Sequence, residues 1–230
     1  MDDTAARPSR AVHSSQRGVH PGLPRALRRH LEQPWRKPPQ AVDAPALAAL
    51  DAALATHDGE LVLDSFCGTG AGTARLAERH AGALVVGVDK SAARLGRHRG
   101  SGDYLLLRAH CEAVWRHLAA RRRQLAAHYL LYPNPWPKPA QLKRRVHGHP
   151  AFPLLLQLGG ALELRSNWQT YVEEFGLALA LAGQPAAVSL LTPDAPPLSA
   201  FERKYRASGQ ALWRLQARLP GDHRPRAPLP

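Results

Sequence analysis

The chain has 230 residues, 44% of them hydrophobic, which is enough for one ample core and excludes a wholly disordered protein. Its formal net charge is +13, carried by 31 Lys and Arg, mostly Arg, against 18 Asp and Glu, so a phosphate-bearing partner such as nucleic acid is expected. Cys67 and Cys111 are too few for a disulfide framework or a zinc set, no apolar run approaches 18 residues, and the chain opens on Asp2 and Asp3; a monomer in the reducing cytoplasm, neither secreted nor membrane-spanning, is expected.

Residues 1–40 are rich in Arg, Pro and His and read as a basic tail without stable structure. Arg25, Arg28, Arg29, Trp35, Arg36 and Lys37 make it either an RNA-contacting arm or a solubilising extension. The folded domain is expected over 41–218, with a Pro-rich tail over 219–230. The apolar spacing of 46–54 suits a helix that ends at His57-Asp58-Gly59. Leu61, Val62 and Leu63 then read as a buried parallel strand with Asp64 at its carboxyl end, and Gly68, Gly70 and Gly72 turn the backbone toward a helix from Thr73. A carboxylate there is wrong for cradling phosphate, and the Gly-Lys-Ser/Thr ending of a phosphate loop is missing; a cationic ligand fits better. The next strand, 83–88, closes on Asp89, about twenty residues beyond Gly68, where βαβ geometry sets a carboxylate against ribose hydroxyls.

Beyond a basic stretch at Arg94, Arg97, His98 and Arg99, residues 104–107 read as a third strand, leaving His110 in the corner where such folds often meet an adenine amine. A helix follows over 112–123, and a fourth strand, 128–131, delivers Tyr132-Pro133-Asn134-Pro135-Trp136-Pro137-Lys138. The prolines forbid a helix and hold the segment extended, so Asn134, Trp136 and Lys138 are displayed rigidly at the carboxyl ends of the strands. Lys143, Arg144 and Arg145 are expected to form a basic surface beside them, and no metal site is expected. A helix over 152–158 and a strand over 161–164 lead to Ser166-Asn167-Trp168. A helix over 171–181 is expected to turn Glu173 and Glu174 outward, and a strand follows over 186–191. The segment 199–205 is polar and exposed in character, and 211–215 closes the sheet as an edge strand.

Taken in order, these motifs resemble the bacterial tRNA (guanine-N7) methyltransferase family over roughly residues 60–218. Tyr132 to Lys138 followed by Lys143-Arg144-Arg145 is similar to the family's Phe-Pro-Asp-Pro-Trp-x-Lys and Lys-Arg-Arg. Ser166-Asn167-Trp168 with Tyr171 is similar to its Thr-Asp-Trp-x-x-Tyr, and Ser199-Ala200-Phe201-Glu202 to its Thr-x-Phe-Glu. The resemblance implies a Rossmann-like α/β fold, a mostly parallel seven-stranded sheet flanked by helices, and S-adenosylmethionine as cofactor. It implies that Asp64, Gly68, Gly70, Asp89 and His110 line the cofactor site, with Asn134 between cofactor and base. Trp136, Lys138, Asn167, Ser199 and Glu202 would face the acceptor, and Lys143, Arg144 and Arg145 the tRNA. The sequence departs from the family at several of these positions: Asn stands for Asp at 134 and 167, His for Asp at 110, and Ser for Thr at 166 and 199. Three readings therefore stay open: guanine-N7 methylation of tRNA, methylation of an exocyclic amine, for which Asn-Pro-Trp also suits, and a non-catalytic RNA-binding relative.

Overall fold

The computed structural model describes residues 9–221. Two helices, α1 (Leu23–Glu32) and α2 (Ala44–Ala55), precede the sheet. Strands β1 (Leu61–Ser65), β2 (Leu84–Asp89) and β3 (Leu105–Arg108) then alternate with α3 (Ala71–Arg79), the single turn α4 (Ala92–Leu95) and α5 (Cys111–Ala120). After β4 (Ala127–Leu131) come two short 3-10 turns, Pro139–Arg144 and Val146–Gly148, and α6 (Phe152–Leu158). The chain ends with β5 (Gly160–Ser166), α7 (Gln169–Leu181), β6 (Ala186–Leu190), α8 (Ala200–Ala207) and β7 (Trp213–Leu219). One seven-stranded sheet results, in the order β3-β2-β1-β4-β5-β7-β6. All neighbours are parallel except those of β7, which runs antiparallel to both β5 and β6.

This architecture follows from the strand chemistry. β1 and β4 are buried along their whole length, as parallel strands covered on both faces must be. Alternate side chains feed two cores: Leu63, Val86, Val88 and Leu130 pack under α2, α5, α6 and α7, with Trp115, Phe152 and Phe175 among the fillers. Val62, Val85, Tyr129 and Leu131 pack on the other face with Leu76 of α3 and with Leu198, just before α8. At the end of β1 the Ser65 hydroxyl receives the Trp115 indole N–H at 2.9 Å and lies 2.8 Å from His128 Nε2, a fully buried link between β1, α5 and β4. Burial pushes the His128 pKa down to about 3, so the ring is neutral there.

Several expectations are corrected. Residues 23–32 are no tail: Leu23, Leu27 and His30 of α1 are buried, and the helix packs on α6 and α7. Pro24 starts it in the first turn, where a missing N–H costs nothing. β7 is longer than 211–215 and is not the edge; it inserts between β5 and β6, so β6 is the exposed edge. The strand also runs past the expected boundary at 218, since Leu219 is buried and pairs with Gly160. Glu174 points inward and is fully buried. Segment 200–207 is a helix whose Glu202 is buried rather than exposed. Residues 1–8 and 222–230, where the ends of the two expected tails fall, lie outside the described residues. Among the described residues no helix is long and apolar enough to cross a membrane.

Candidate active site

The sheet's strand order reverses direction between β1 and β4, and in open α/β sheets ligands collect at such a point, beyond the carboxyl ends of the strands. The β1 loop and the Tyr132 to Lys138 segment meet there. Three of the four non-glycine residues with positive φ among the described residues stand there, Arg122 after α5 being the other: Phe66, Tyr132 and Trp136 have φ of 64°, 57° and 47°, a region that side-chain-bearing residues avoid unless their surroundings over-determine them. Phe66 is held by its N–H donating to Cys111 Sγ at 3.2 Å and by an edge-on contact with Trp115.

Asp64, inside β1 rather than beyond it, is 1% exposed. Its Oδ2 accepts the Thr73 hydroxyl at 2.7 Å, while Oδ1 is buried without a hydrogen-bond partner among the described residues. Burial raises its pKa to about 7, opposed by the Thr73 hydrogen bond and assisted by the Asp89 charge. Gly70 caps α3 at φ 76°, a backbone conformation that side-chain-bearing residues rarely adopt, so the turn there favours glycine. Asp89 accepts N–H groups from Gly68 at 3.0 Å and Ser91 at 2.8 Å, with Arg94 at 3.4 Å. The two carboxylates thus share one corner: Asp89 organises the loop backbone, and Asp64 keeps an unpaired oxygen beneath it.

His110 stands at the end of β3, as expected, but its ring is anchored. The His110 backbone N–H and the ring Nδ1 both engage the buried Asp43 Oδ1, at 2.8 and 3.0 Å, so the ring is held on its Nδ1 side.

On the acceptor side, Asn134 is exposed and its Oδ1 accepts the Trp136 N–H at 3.3 Å, which leaves its amide NH₂ as the group to offer a ligand. Trp136 is half-buried with the Arg144 guanidinium 4.8 Å from its ring centre, and Lys138 is exposed. Asn167 is half-buried and donates to Gln210 at 2.8 Å, and Gln210 in turn donates to the carbonyl of Ser9. Ser199 caps α8, its hydroxyl accepting the Glu202 N–H at 3.1 Å.

Three expected contact residues turn away from solvent, Ser199 at 8% exposure and two charged residues more completely. Glu202 accepts Arg165 at 2.9 and 3.0 Å, Arg206 at 3.0 Å and the Leu198 N–H at 3.3 Å. It is 0% exposed, because Arg165 on β5 needs a buried counter-charge, so it does not face an acceptor base. Arg145 is likewise 0% exposed, paired with Glu174, and offers nothing to RNA. Of the basic triplet only Lys143 and Arg144 reach solvent.

Within the 199–205 segment the geometry singles out two aromatics. Phe201, 46% exposed, reaches within 3.7 Å of where a Cβ on Gly68 would stand. It stacks on Tyr205, which leans on Tyr132, with ring centres 6.3 and 5.4 Å apart. This aromatic ledge borders the glycine corner. Its signal in the sequence was two aromatics four apart in an otherwise polar segment. A cavity of about 600 Å³ lies elsewhere, along the sheet face over β5, β6 and β7, lined by Arg79, Tyr129, Glu163, Gln216 and Arg218. It opens away from the strand ends that carry the two carboxylates.

Residues 58–215 match the model of a family described as putative methyltransferase. The chain belongs to that family. The tRNA (guanine-N(7)-)-methyltransferase of Thiobacillus denitrificans is 30% identical over 183 residues, covering 74% of this chain and 80% of that one. Its counterpart in Anaeromyxobacter dehalogenans is 31% identical over 172 residues, covering 69% and 85%. Among solved structures, the 16S rRNA methyltransferase KamB superposes with a TM-score of 0.55 at 16% identity, covering 75% of this chain and 94% of that one. A structure described as an antibiotic-related methyltransferase gives 0.54 at 14% identity, with the same coverage. These two show the fold, a Rossmann-like methyltransferase sheet. S-adenosylmethionine is the cofactor of this methyltransferase class, and the residues fit it: a buried carboxylate with an unpaired oxygen suits a cation, and Asp89 closes β2 beside the glycine loop, a strand end of the kind that can meet ribose hydroxyls.

Proposed function

We propose that this methyltransferase transfers a methyl group from S-adenosylmethionine to a base of structured RNA, and that guanine N7 of tRNA is the acceptor its site suits best. The observation that carries the choice is Asn134, an exposed side chain whose carbonyl oxygen is taken by the Trp136 N–H, so that its NH₂ is the group left to offer a ligand. The edge of guanine that bears N7 also bears O6 and offers acceptors only, so a donor is the complementary group. The relatives in Thiobacillus and Anaeromyxobacter named for this reaction support the same acceptor.

Asp64 would hold the cofactor's ammonium, Asp89 its ribose hydroxyls, and the corner at His110 its adenine. Once bound, the cofactor supplies an electrophilic methyl group. Guanine N7 carries a lone pair and no proton, so its methylation, in which the N–C bond would form as the cofactor's C–S bond broke, would need no general base from the protein. The protein's part is placement: the Asn134 NH₂ orients O6, and the Phe201–Tyr205 ledge gives the base a face on which to stack.

That neutral amide also supports a second reading, methylation of an exocyclic amine, which would use the Asn134 carbonyl after a turn of the side chain. Asn134→Asp separates the two. It should lower guanine-N7 transfer by about tenfold or more in the first reading, because the donor to O6 is lost, and leave amine methylation largely in place in the second, because a carboxylate oxygen still accepts the amine N–H. Transfer of labelled methyl to tRNA, with the product nucleoside identified, decides. Two inactive proteins that still bind tRNA would leave a non-catalytic role.

The RNA face we infer runs from α1 to the first 3-10 turn. Docking of α1 against the Val146–Gly148 turn brings exposed Arg25, Arg28 and Arg29 near Lys143 and Arg144. Each phosphate contact contributes about 0.7–0.9 to the slope of log affinity on log salt. Lys143→Ala with Arg144→Ala should therefore flatten the slope by more than one, measured by titrating tRNA at several salt concentrations. An unchanged slope would make this face a matter of composition alone.

A further inference from the structure

The acceptor loop has little of its own to hold it in place. Pro133, Pro135 and Pro137 have no N–H to donate, and Trp136 sits at φ 47°, so its shape must be imposed from behind. What stands behind is Arg145. Its Nε donates to the Trp136 carbonyl at 3.1 Å and its Nη2 to the Lys138 carbonyl at 3.4 Å. The guanidinium lies 5.0 Å from the Trp168 ring centre.

The fork is itself fixed. Nη1 donates to Glu174 Oε2, which also accepts His147 Nε2 at 2.8 Å. Nη2 donates to Gln16 Oε1 at 2.9 Å, and Gln16 Nε2 returns a bond to Glu174 Oε1 at 2.6 Å. The His20 N–H closes the carboxylate at 2.8 Å, and the Ser14 hydroxyl donates to the Pro137 carbonyl. The segment from Ser9 to His20 is therefore a strap. It begins at Ser208 and Gln210, the latter holding Asn167, crosses the acceptor loop at Pro137, and ends on α7.

A fully buried Arg–Glu pair adds little stability over an apolar pair of the same volume, so packing alone does not account for this one. The carbonyls it grips do. We propose that Arg145 and Glu174, completed by Gln16 from the N-terminal strap, are positioning residues for methyl transfer, setting the acceptor loop that carries Asn134, Trp136 and Lys138. This rests on the methyl-transfer reading. It makes residues 9–20 part of the acceptor site rather than a separate RNA arm.

Gln16→Ala is the variant of choice, since Gln16 is only half-buried and its loss leaves the Arg145–Glu174 pair itself intact. The protein contains five tryptophans, which label with 5-fluorotryptophan for fluorine NMR, and Trp136→Phe identifies the loop's resonance. In Gln16→Ala the Trp136 resonance should shift and broaden while those of Trp115 and Trp213 stay. The kcat for transfer to RNA should fall about tenfold, with KM changed less than threefold and cofactor affinity by calorimetry unchanged, because a displacement near 1 Å suffices for such losses. Glu173→Gln, on the same helix, should alter none of these. An unmoved Trp136 resonance, or an unchanged kcat in an active protein, would overturn the clamp. A wild type that transfers no methyl to any RNA would sink the methyl-transfer reading instead, and the fluorine spectrum would still decide whether the strap sets the loop.

Discussion

Glu202→Ala should cost the fold about 3–5 kcal/mol, because it leaves Arg165 buried with half its counter-charge removed. In a chain of this size that lowers the melting temperature by about 6–20 °C. The cause is the arrangement on β5. Arg165 is 5% exposed, and it is neutralised from two sides, by Glu163 at 2.7 Å and by Glu202 at 2.9 Å. Glu202 also receives the Leu198 N–H and Arg206, so its loss frees the start of α8 as well. The motif resemblance implies a different outcome: a Glu facing the acceptor would, on removal, weaken RNA binding and leave the melting temperature alone. Thermal melting of Glu202→Ala beside Glu202→Ala/Arg165→Leu distinguishes them. The double variant should recover part of the loss, since it removes the stranded charge. A single variant that melts within 2 °C of wild type would show that the triad does not hold the sheet to α8 in the way its distances imply.

The strands and their turns were legible because they depend on local pattern. Leu61 to Leu63, the glycines that follow and Asp89 lie where period and spacing put them, and β4 and β5 came within a residue or two of their expected ends. The place of a strand within the sheet is not a local property. Nothing in 211–219 announces that β7 inserts between β5 and β6, and the error reversed which of the two is the edge.

The partners of buried charges were illegible for the same reason. Glu174 belongs to a helix with a polar stripe and was placed outward by type, yet its partners lie 29 and 158 residues away, at Arg145 and Gln16. Arg145 sits in a run of three basic residues, and a run says nothing about which member turns inward. α1 is a different case, because its signal was present. Leu23, Leu27 and Leu31 recur every four residues with Arg25, Arg28 and Arg29 between them, and a proline stands in the first turn. The composition of the surrounding forty residues masked a helix that periodicity alone would have found. At the site, the two carboxylates and the proline-locked loop could be proposed from residue type alone. The aromatic ledge and the anchoring of His110 depend on α8 and Asp43, elements distant in sequence, and emerge only in three dimensions.

Cofactor binding should strengthen as pH rises from about 5.5 to 7.5, and Asp64 is the reason. Burial holds its folded-state pKa up at about 7, whereas in an unfolded chain it ionises near the ordinary carboxylate range. The sign for the cofactor-free protein follows. A raised carboxyl pKa favours the neutral form in the fold, so its contribution to stability is complete below about pH 4 and is lost as pH climbs through about 7. A cation beside Oδ1 reverses the preference. It binds the ionised form, expels the proton below pH 7, and repairs the cost of a charge buried without a second partner. Calorimetry with S-adenosylmethionine at pH 6, in two buffers of different ionisation heat, should therefore report proton release, and much less of it at pH 8. Asp64→Asn keeps the shape and removes the charge. It should abolish both the pH dependence and the proton release, and weaken binding about 10- to 100-fold at pH 7.5, the range expected for a hydrogen bond to a charged group. It should also remove the decline in thermal stability of the cofactor-free protein between pH 5 and 8. If Asp64→Asn binds the cofactor as tightly as wild type and with the same pH profile, the unpaired oxygen beneath the glycine corner is not where the cation sits.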